Sequence, residues 1–258
     1  MHAGGLVPAA ARSPQVLPLD GCALFLDLDG TLLELAPHPD AVSVEPQLLE
    51  LLRALMRRTG GALALVSGRS IATLDTLLQP LKLPVSGLHG FERRDAHATL
   101  VHRERPGLTV LQEARHLMAE WVTKEPRLVL EDKGLALALH YRQAPQLESE
   151  VVSAVTAIAA RAGSGLRAQR GRLVIELTPG TQSKATAIAE FMSEAPFRGR
   201  LPVYVGDDRT DEPAFEWVNA AGGISVGVDV TPPTSARTHL GSVMEARAWL
   251  RALLDAAE

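Results

Sequence analysis

Hydrophobic and polar positions follow a strand–helix pattern in the first third of the chain. Apolar runs typical of buried strands lie at 23–28, 62–66 and 83–90. Helices are predicted between them, at 46–58, where leucines recur at helical spacing, and from SGRS through Leu78. Because these strands are apolar on both faces and alternate with helices, the pattern predicts a parallel sheet covered by helices.

The middle of the chain changes to a half-polar pattern. Strand-like pieces are predicted at 91–103, two strands within 127–142, and a hairpin at 165–179 with Arg170-Gly171 near its turn. Helices are predicted at 108–124 and 146–162. Within 127–142, large apolar residues alternate with smaller or polar ones, as in an antiparallel strand with one buried face. This stretch therefore predicts an α+β unit.

The first pattern returns in the last third of the chain. Helices are predicted at 181–194, 211–220 and 242–255, strands at 201–206 and 222–228, and a loop at 229–241. The economical fold is a doubly wound α/β core with a mainly parallel sheet, built from 20–91 and 179–258. An α+β cap domain is inserted at 92–178, and residues 1–19 are predicted to form a flexible tail.

Composition, charge and the length of apolar runs exclude several classes of protein. The chain has 258 residues, a net charge of −4 and a single cysteine, Cys22, so it offers no basic surface for nucleic acid and no internal disulfide. No apolar run approaches the roughly 20 residues of a membrane span, and the N-terminus lacks a signal-peptide pattern. We expect a cytoplasmic protein with a small-molecule substrate, and take a monomer as the working assumption.

Polar clusters follow the predicted strands and helix starts of the core. They are Asp27 and Asp29 with Thr31, Ser67-Gly68-Arg69, Lys184, and Gly206-Asp207-Asp208 with Asp211. Doubly wound sheets bind ligands at the carboxyl ends of their strands, so these clusters are expected to meet at one edge. The sequence therefore predicts one polar site there.

The residue types indicate phosphoryl chemistry. Neighbouring carboxylates repel one another unless a cation lies between them, and oxygen ligands alone favour Mg²⁺. A lysine and the backbone N–H groups near Ser67 can hold a phosphate. Asp27 can attack phosphorus, and Asp29, on the same face of the chain, can pass a proton to the leaving group.

Each of these residues also has an ordinary structural interpretation. Ser67 alone would more often cap the helix that follows it. Asp208 and Asp211 could simply complement a helix dipole, and Lys184 alone would more often be a solvated helix residue. The occurrence of all four clusters in this order favours the functional interpretation.

The same clusters carry a family resemblance. DLDGTLL at 27–33, VSGR at 66–69, Lys184 and GDDRTDE at 206–212 resemble the four motifs of the haloacid dehalogenase superfamily, and the insertion is similar to its C2-type cap. Four longer phrases resemble trehalose-6-phosphate phosphatases: SGLHGFERR, LEDKGLALALHYR, LVIELTPGTQSKATAI and VGDDRTDEPAF.

The resemblance implies a role for each matching residue. Asp27 would be the nucleophile and Asp29 the general acid and base. Mg²⁺ would be held by Asp27, the backbone carbonyl of Asp29 and Asp207, with Asp208 and Asp211 supporting its outer shell. The phosphate would be bound by Ser67, Gly68 and Lys184, and the sugar pocket would be formed by His89, Gly90, Glu131, Lys133, Arg142 and Glu176.

The expected activity is Mg²⁺-dependent hydrolysis of trehalose 6-phosphate through an aspartyl phosphate, the final step of trehalose biosynthesis. Three alternatives remain open. One is another sugar-phosphate phosphatase with the same cap, acting on sucrose phosphate or mannosyl-3-phosphoglycerate. The others are a non-catalytic sugar-phosphate sensor and a phosphomutase, which would retain the phosphoryl group.

Overall fold

A computed structural model describes residues 13–36, 42–102, 108–162, 165–180 and 182–255. Its strands are β1 (Cys22–Leu26), β2 (Leu63–Val66), β3 (Val85–Gly87), β4 (Glu92–Arg94), β5 (Leu100–His102), β6 (Val129–Asp132), β7 (Leu137–His140), β8 (Leu166–Gly171), β9 (Val174–Pro179), β10 (Leu201–Gly206), β11 (Ile224–Val228) and β12 (Thr238–Leu240). Its helices are α1 (Pro46–Arg58), α2 (Ile71–Leu77), α3 (Leu108–Lys124), α4 (Glu148–Arg161), α5 (Lys184–Met192), α6 (Glu212–Ala220) and α7 (Val243–Asp255).

Eight strands form the larger sheet, in the order β12-β11-β10-β1-β2-β3-β4-β5. The strands from β12 to β3 are parallel, and β4 and β5 extend the sheet in antiparallel fashion. The chain winds outward from the centre in both directions, so β1 and β10 lie side by side where the winding reverses. This topology confirms the predicted doubly wound fold, and such a reversal point is where ligands bind.

Helices cover both faces of this sheet. Successive strand residues point to opposite faces, and in β1 Leu24 and Leu26 pack into a cluster with the leucines of α1 and the last helix, α7. Ala23 and Phe25 pack on the other side with α5 and α6. Burial on both faces explains why this strand is an unbroken apolar run.

The smaller sheet is antiparallel, in the order β6-β7-β9-β8. The helices α3 and α4 pack on one face of it, against Leu137, Leu139, Ile175 and Leu177. Residues between these, such as Glu176, belong to the opposite face. That second face is polar and meets the larger sheet, because Lys133 Nζ donates a hydrogen bond of 3.0 Å to the carbonyl of Gly68.

Three details differ from the sequence predictions. The strands β4 and β5 belong to the larger sheet, so that sheet continues about ten residues past residue 92, where we placed the start of the cap. The short strand β12 lies within the predicted loop at 229–241. The turn of the β8–β9 hairpin falls at Arg172-Leu173, just after the predicted Arg170-Gly171. The division into domains itself stays a prediction.

The predicted tail at 1–19 is only partly within the described residues, which begin at residue 13. Leu19 is buried in the core, and the carbonyl of Gln15 accepts a hydrogen bond of 3.2 Å from Trp249 Nε1. The end of the predicted tail is therefore attached to the core through Gln15, Leu17 and Leu19, although Val16 is 49% exposed. Across the described ranges, the helices are all too short or too polar to cross a bilayer.

Candidate functional site

The predicted clusters meet at the carboxyl edge of the larger sheet. Asp27 directly follows β1, Ser67 follows β2, and Asp207 follows β10. These three strands are parallel neighbours, so their ends lie side by side. His89 follows β3 by the same logic, in a short turn where its φ is 54°. The sheet thus brings together residues that are up to 180 positions apart in the chain.

Lys184 joins two of the aspartates at the first turn of α5. Its Nζ lies 2.9 Å from Asp27 Oδ1 and 2.6 Å from Asp211 Oδ1, and the side chain is buried. Burial alone would lower the pKa of Lys184, but attraction to Asp211 and Asp27 outweighs it and raises the pKa well above its ordinary value. The lysine is therefore a permanently charged ammonium within the site.

The aspartates themselves are crowded. Asp27, Asp207 and Asp211 each present an oxygen within 4.8 Å of the others, and all three side chains are buried. Burial raises the pKa of Asp27 to about 7, with Lys184 opposing the rise and Asp211 adding to it. Burial and repulsion by Asp27 raise the pKa of Asp207 well above its ordinary value. A hard divalent cation is the species that would stabilise such a group of oxygens.

Asp211 organises the loop after β10. Its Oδ2 accepts hydrogen bonds from the backbone N–H groups of Asp207 at 2.8 Å and Asp208 at 2.9 Å. Its Oδ1 accepts from the Tyr204 hydroxyl as well as from Lys184. With both oxygens engaged by protein donors, the Asp211 carboxylate fixes the loop that presents Asp207. It does more than complement the dipole of α6, where it makes no side-chain cap.

Thr31 and Gly30 lie close to the aspartates of the cluster, Thr31 between Asp27 and Asp207 and Gly30 against Asp207. The Thr31 hydroxyl lies 3.4 Å from both Asp27 Oδ2 and Asp207 Oδ1. Gly30 has a φ of 82°, and a Cβ added there would lie 2.0 Å from Asp207 Oδ2. The turn after β1 therefore needs glycine for its conformation and for the approach of Asp207.

Asp29 is held by an arginine to which the sequence analysis gave no role. Arg69 Nε lies 2.6 Å from Asp29 Oδ2, and Arg69 Nη2 lies 2.8 Å from Asp29 Oδ1. This bidentate pair uses both carboxylate oxygens. The sequence did place Arg69 in the same polar cluster as Ser67. An arginine after a strand has many possible partners, however, so the pair with Asp29 was not predicted.

Ser67 is buried in the site and does not cap the following helix. Its Oγ accepts a hydrogen bond of 3.1 Å from the backbone N–H of Arg69. The N-cap of α2 is Ser70, which accepts from the N–H of Thr73. The capping alternative is therefore wrong for Ser67, and its hydroxyl remains in the cavity beside Asp27.

We call the smaller sheet with α3 and α4 the cap, and the larger sheet with its helices the core; the cap presents a row of side chains to the core. In the register of its sheet, Ala138 is paired with Glu131 on one side and Glu176 on the other, so both carboxylates point from the same face. His140 Nε2 lies 2.9 Å from Glu131 Oε2. Burial works against ionisation of Glu131, but the bond to His140 and the charge of Lys133 lower its pKa.

A buried chain of polar groups links cap and core. Lys133 Nζ lies 2.5 Å from Glu176 Oε1, and His89 Nε2 lies 2.5 Å from Glu176 Oε2. Burial would raise the pKa of Glu176, yet Lys133 and His89 together lower it below its usual range. His89 Nδ1 is buried and has no hydrogen-bond partner among the described residues. Gly68 packs directly on the ring, since a Cβ there would lie 2.6 Å from His89 Nε2.

Three other predicted residues, Arg142, Asp208 and Gly90, differ from one another in how they contact the site. Arg142 lines the cavity and donates to the carbonyl of Ala36. Asp208 accepts from the Thr210 hydroxyl at 2.6 Å and from the backbone N–H of Arg172 at 3.1 Å, so it ties the core to the cap hairpin. Gly90 does not line the cavity; its Cα packs against the backbone of Ser183, before α5.

An inner cavity of about 120 Å³ lies between these groups. The predicted residues that line it are Asp27, Asp29, Ser67, Gly68, His89, Glu131, Lys133, Arg142, Glu176, Lys184, Asp207 and Asp208. A wider cleft of about 1240 Å³ adjoins it and shares Arg172, Asp207 and Asp208 with its lining. The structure therefore brings nearly all of the predicted site into one enclosure; Gly90 and Asp211 support it from outside.

Comparison with known proteins adds relatives to this geometry. The sequence profile of the trehalose-phosphatase family matches residues 25–243. A trehalose-6-phosphate phosphatase of Escherichia coli (strain K12) is 42% identical over 236 residues, which are 91% of this chain and 87% of that protein.

Solved structures resemble the fold. The C-terminal domain of Candida albicans trehalose-6-phosphate phosphatase aligns with a TM-score of 0.83 at 20% identity, covering 96% of this chain and 99% of that chain. A phosphatase of the haloalkanoate (HAD) enzyme superfamily from Bacteroides thetaiotaomicron aligns with a TM-score of 0.58 at 17% identity, covering 97% and 99%. The fold is similar to both of these structures, and by its profile match and its 42% identical relative the chain belongs to the trehalose-phosphatase family.

Proposed function

We propose that this protein hydrolyses trehalose 6-phosphate to trehalose and inorganic phosphate. One observation carries the proposal: the buried Asp27 carboxylate, bonded to Lys184, lies in one cavity with the polar face of the cap. This geometry offers a nucleophile and a cation to the phosphate, and carboxylates to sugar hydroxyls. The Escherichia coli relative is named a trehalose-6-phosphate phosphatase, which supports trehalose as the sugar.

Asp27 and Asp29 divide the chemistry between them. A carboxylate oxygen of Asp27 attacks phosphorus, and the bond between phosphorus and the sugar oxygen breaks while Asp29 gives that oxygen a proton. Water then attacks phosphorus in the aspartyl phosphate, and Asp29 takes its proton. The acyl phosphate P–O bond breaks, phosphate leaves and the Asp27 carboxylate is restored.

Lys184 and the backbone of the second cluster stabilise the phosphate. The Lys184 ammonium already lies against Asp27, so it meets the negative charge that builds on the phosphoryl oxygens. The Ser67 hydroxyl and the N–H of Gly68 lie at the same edge and would complete the phosphate cradle. These donors are fixed by buried strands and need no rearrangement at the moment of reaction.

We assign Mg²⁺ to Asp27, the backbone carbonyl of Asp29 and Asp207, with Asp208 and Asp211 around them. The donor set fits this ion, because its members are oxygens and because burial and repulsion raise the pKa values of Asp27 and Asp207. When bound, Mg²⁺ would neutralise the carboxylates and phosphate oxygens and so permit attack by one anion on another.

The cap would recognise the sugar. Glu131 and Glu176 are held ionised beside Lys133, and ionised carboxylates accept hydrogen bonds from hydroxyl groups. His89 Nδ1 is a buried polar atom without a partner among the described residues, which a sugar hydroxyl would satisfy. A substrate without these hydroxyls would leave buried charges unpaired, and this is a strong source of specificity.

Phosphate release tests the proposal directly. We expect release from trehalose 6-phosphate in Mg²⁺, loss of release in EDTA with recovery on adding Mg²⁺ back, and a drop of more than about 10³-fold in Asp27→Asn. Asp20→Asn, at an exposed ion pair with Arg58, is the matched control and should keep full activity.

A panel of sugar phosphates separates the alternatives. Turnover of sucrose 6-phosphate or mannosyl-3-phosphoglycerate without turnover of trehalose 6-phosphate would preserve the mechanism and reject the assigned substrate. Binding of a sugar phosphate with no turnover of any panel member would support the sensor. Loss of the substrate ester without free phosphate would indicate a mutase.

A further inference from the structure

Arg69 forms a bidentate ion pair in the site, and it takes no part in the proposed reaction steps. Both of its bonds to Asp29, at 2.6 Å and 2.8 Å, engage the residue that carries the proton in the proposed reaction. The arginine side chain is 9% exposed, whereas that of Asp29 is 29% exposed. The Asp29 carboxylate is thus partly open to solvent, whereas the guanidinium that holds it is buried.

The backbone of Arg69 is also fixed. Its N–H donates to Ser67 Oγ at 3.1 Å, and its carbonyl accepts from the N–H of Leu88 at 3.0 Å. Gly87 allows that carbonyl to approach, since a Cβ on Gly87 would lie 2.8 Å from the Arg69 oxygen. The guanidinium therefore projects from a segment anchored to both β2 and β3.

We propose that Arg69 is a positioning residue that holds the Asp29 carboxylate in the orientation needed for proton transfer. A general acid works only within hydrogen-bond reach of the leaving oxygen, and a partly exposed aspartate would otherwise sample several rotamers. A bidentate guanidinium fixes the plane of the carboxylate. Each carboxylate oxygen keeps a second lone pair, on which the proton can be carried. The inference rests on the proposed function, in which Asp29 protonates the sugar oxygen.

Two leaving groups that differ in their need for a proton distinguish a positioning role of Arg69 from a purely structural one. A sugar alkoxide must be protonated as it departs, whereas p-nitrophenolate departs as a stable anion. The ratio kcat/KM reports steps up to release of the first product, so it isolates this protonation from hydrolysis of the aspartyl phosphate. For Arg69→Gln we expect kcat/KM to fall about 100-fold with trehalose 6-phosphate and less than about 5-fold with p-nitrophenyl phosphate.

Two further variants sharpen the comparison. Arg69→Lys keeps the charge but cannot form the bidentate fork, so its loss with trehalose 6-phosphate should lie between those of wild type and Arg69→Gln. In an Asp29→Asn background, Arg69→Gln should lower kcat/KM less than about 3-fold, because the group that it positions no longer transfers protons.

Arg94→Gln is the matched control. Arg94 is also buried and forms a bidentate pair, with Asp75 at 2.8 Å and 2.8 Å, but it lies on β4 and does not line the cavity. Its loss of stability should resemble that of Arg69→Gln, while its kcat/KM values for both substrates should change together and by little. Thermal unfolding of both variants checks that the folded protein is being assayed.

Equal losses of Arg69→Gln on both substrates would overturn the inference, and so would an unchanged kcat/KM for trehalose 6-phosphate. A full loss in the Asp29→Asn background would also overturn it. If the wild type hydrolyses a different sugar phosphate, the assigned substrate is rejected, and the same comparison is made with that sugar phosphate. If the wild type hydrolyses p-nitrophenyl phosphate but no sugar phosphate, or neither class of ester, both the inference and the proposed function are rejected.

Discussion

At the scale of single residues, the site depends on close approaches that only glycine allows. Gly30 has a φ of 82° and lies where a Cβ would meet Asp207 Oδ2 at 2.0 Å. We expect Gly30→Ala to displace the Asp207 carboxylate, because the added methyl group would overlap it and the positive φ would strain the turn. Displacement by about 1 Å can cost about 100-fold in rate, so kcat should fall by about that factor and the Mg²⁺ concentration for half activity should rise.

Gly199 supplies the control for this prediction. Its φ is 80°, but a Cβ there would meet nothing within 4 Å. Gly199→Ala should therefore lose about 1–2 kcal/mol of unfolding free energy from backbone strain and keep its activity. Steady-state assays over a Mg²⁺ titration, with urea unfolding of both variants, separate the two effects. Equal activity in the two alanine variants would contradict the assigned approach of Asp207.

Single residues were predictable from the sequence where a motif fixes both the residue and its strand end. Asp27, Asp207 and Lys184 meet as expected because parallel strands end at one edge. The capping alternative for Ser67 was wrong because two serines flank the same turn, and the pattern does not say which one reaches the helix. The partner of Arg69, which lies 40 positions away, was not predictable, because an arginine after a strand has many possible partners.

At the scale of elements, an ion pair between a buried arginine and a partly exposed aspartate fastens the antiparallel extension of the larger sheet. Arg94 on β4 bonds both oxygens of Asp75 on α2 and also the carbonyl of Leu83. The bonds from Arg94 lower the pKa of Asp75 below its ordinary value of 3.8. We expect Asp75→Asn to lose about 2 kcal/mol of unfolding free energy at pH 7, because a charged partner of a buried guanidinium is removed.

The sign of the pH dependence follows from that lowered pKa. An acid with a lower pKa in the folded state stabilises the fold above its unfolded pKa, near 3.8, and loses this contribution as pH falls through the folded value. The stability difference between wild type and Asp75→Asn should therefore be full at pH 7 and shrink below pH 4. Urea unfolding at pH 7 and pH 3 measures it. A stability difference that grows on acidification would contradict the assigned ion pair. The control Asp20→Asn should differ little from wild type in stability at either pH, because Asp20 forms only an exposed ion pair.

Elements were predictable where the apolar period is long. The helices α1 and α3 begin and end at the predicted residues, and β10 matches its predicted range. The strand β12 escaped detection because it has three half-buried residues, Thr238, His239 and Leu240, in a segment rich in turn residues. The sheet to which β4 and β5 belong depends on pairing with β3, which a local pattern does not encode.

At the scale of the whole molecule, the described contacts between cap and core are several hydrogen bonds and one small apolar cluster, in which Ala136 packs with Leu88 and Phe91. Lys133 bonds the Gly68 carbonyl, Glu176 bonds His89, and Arg172 bonds Asp208 through its N–H and Asp229 through its guanidinium, at 2.9 Å. Hydrogen bonds to charged groups contribute about 1.5–3 kcal/mol each in net terms. The cap is therefore held to the core by a limited set of described contacts, which lie beside the residues assigned to phosphate and sugar.

The size of the inner cavity favours opening of the cap. Its volume of about 120 Å³ is well below the roughly 300 Å³ at which pockets begin to hold drug-sized ligands, and a disaccharide phosphate is of that size. We expect the ligand-free protein to exchange between open and closed cap positions and the bound protein to stay closed. Arg172→Ala should increase the open fraction, because it removes the bond to Asp229.

Energy transfer between two dyes measures this equilibrium. Glu150→Cys on α4 and Met244→Cys on α7 place both labels on exposed residues, and the native Cys22 is buried, 2% exposed. In the Asp27→Asn background, which would bind without turnover, Mg²⁺ and trehalose 6-phosphate should collapse two transfer populations into one. Arg172→Ala should need more ligand for the same collapse. A single population that ligand leaves unchanged would mean that the disaccharide enters without cap movement, and the closed cavity would then have to expand locally around it.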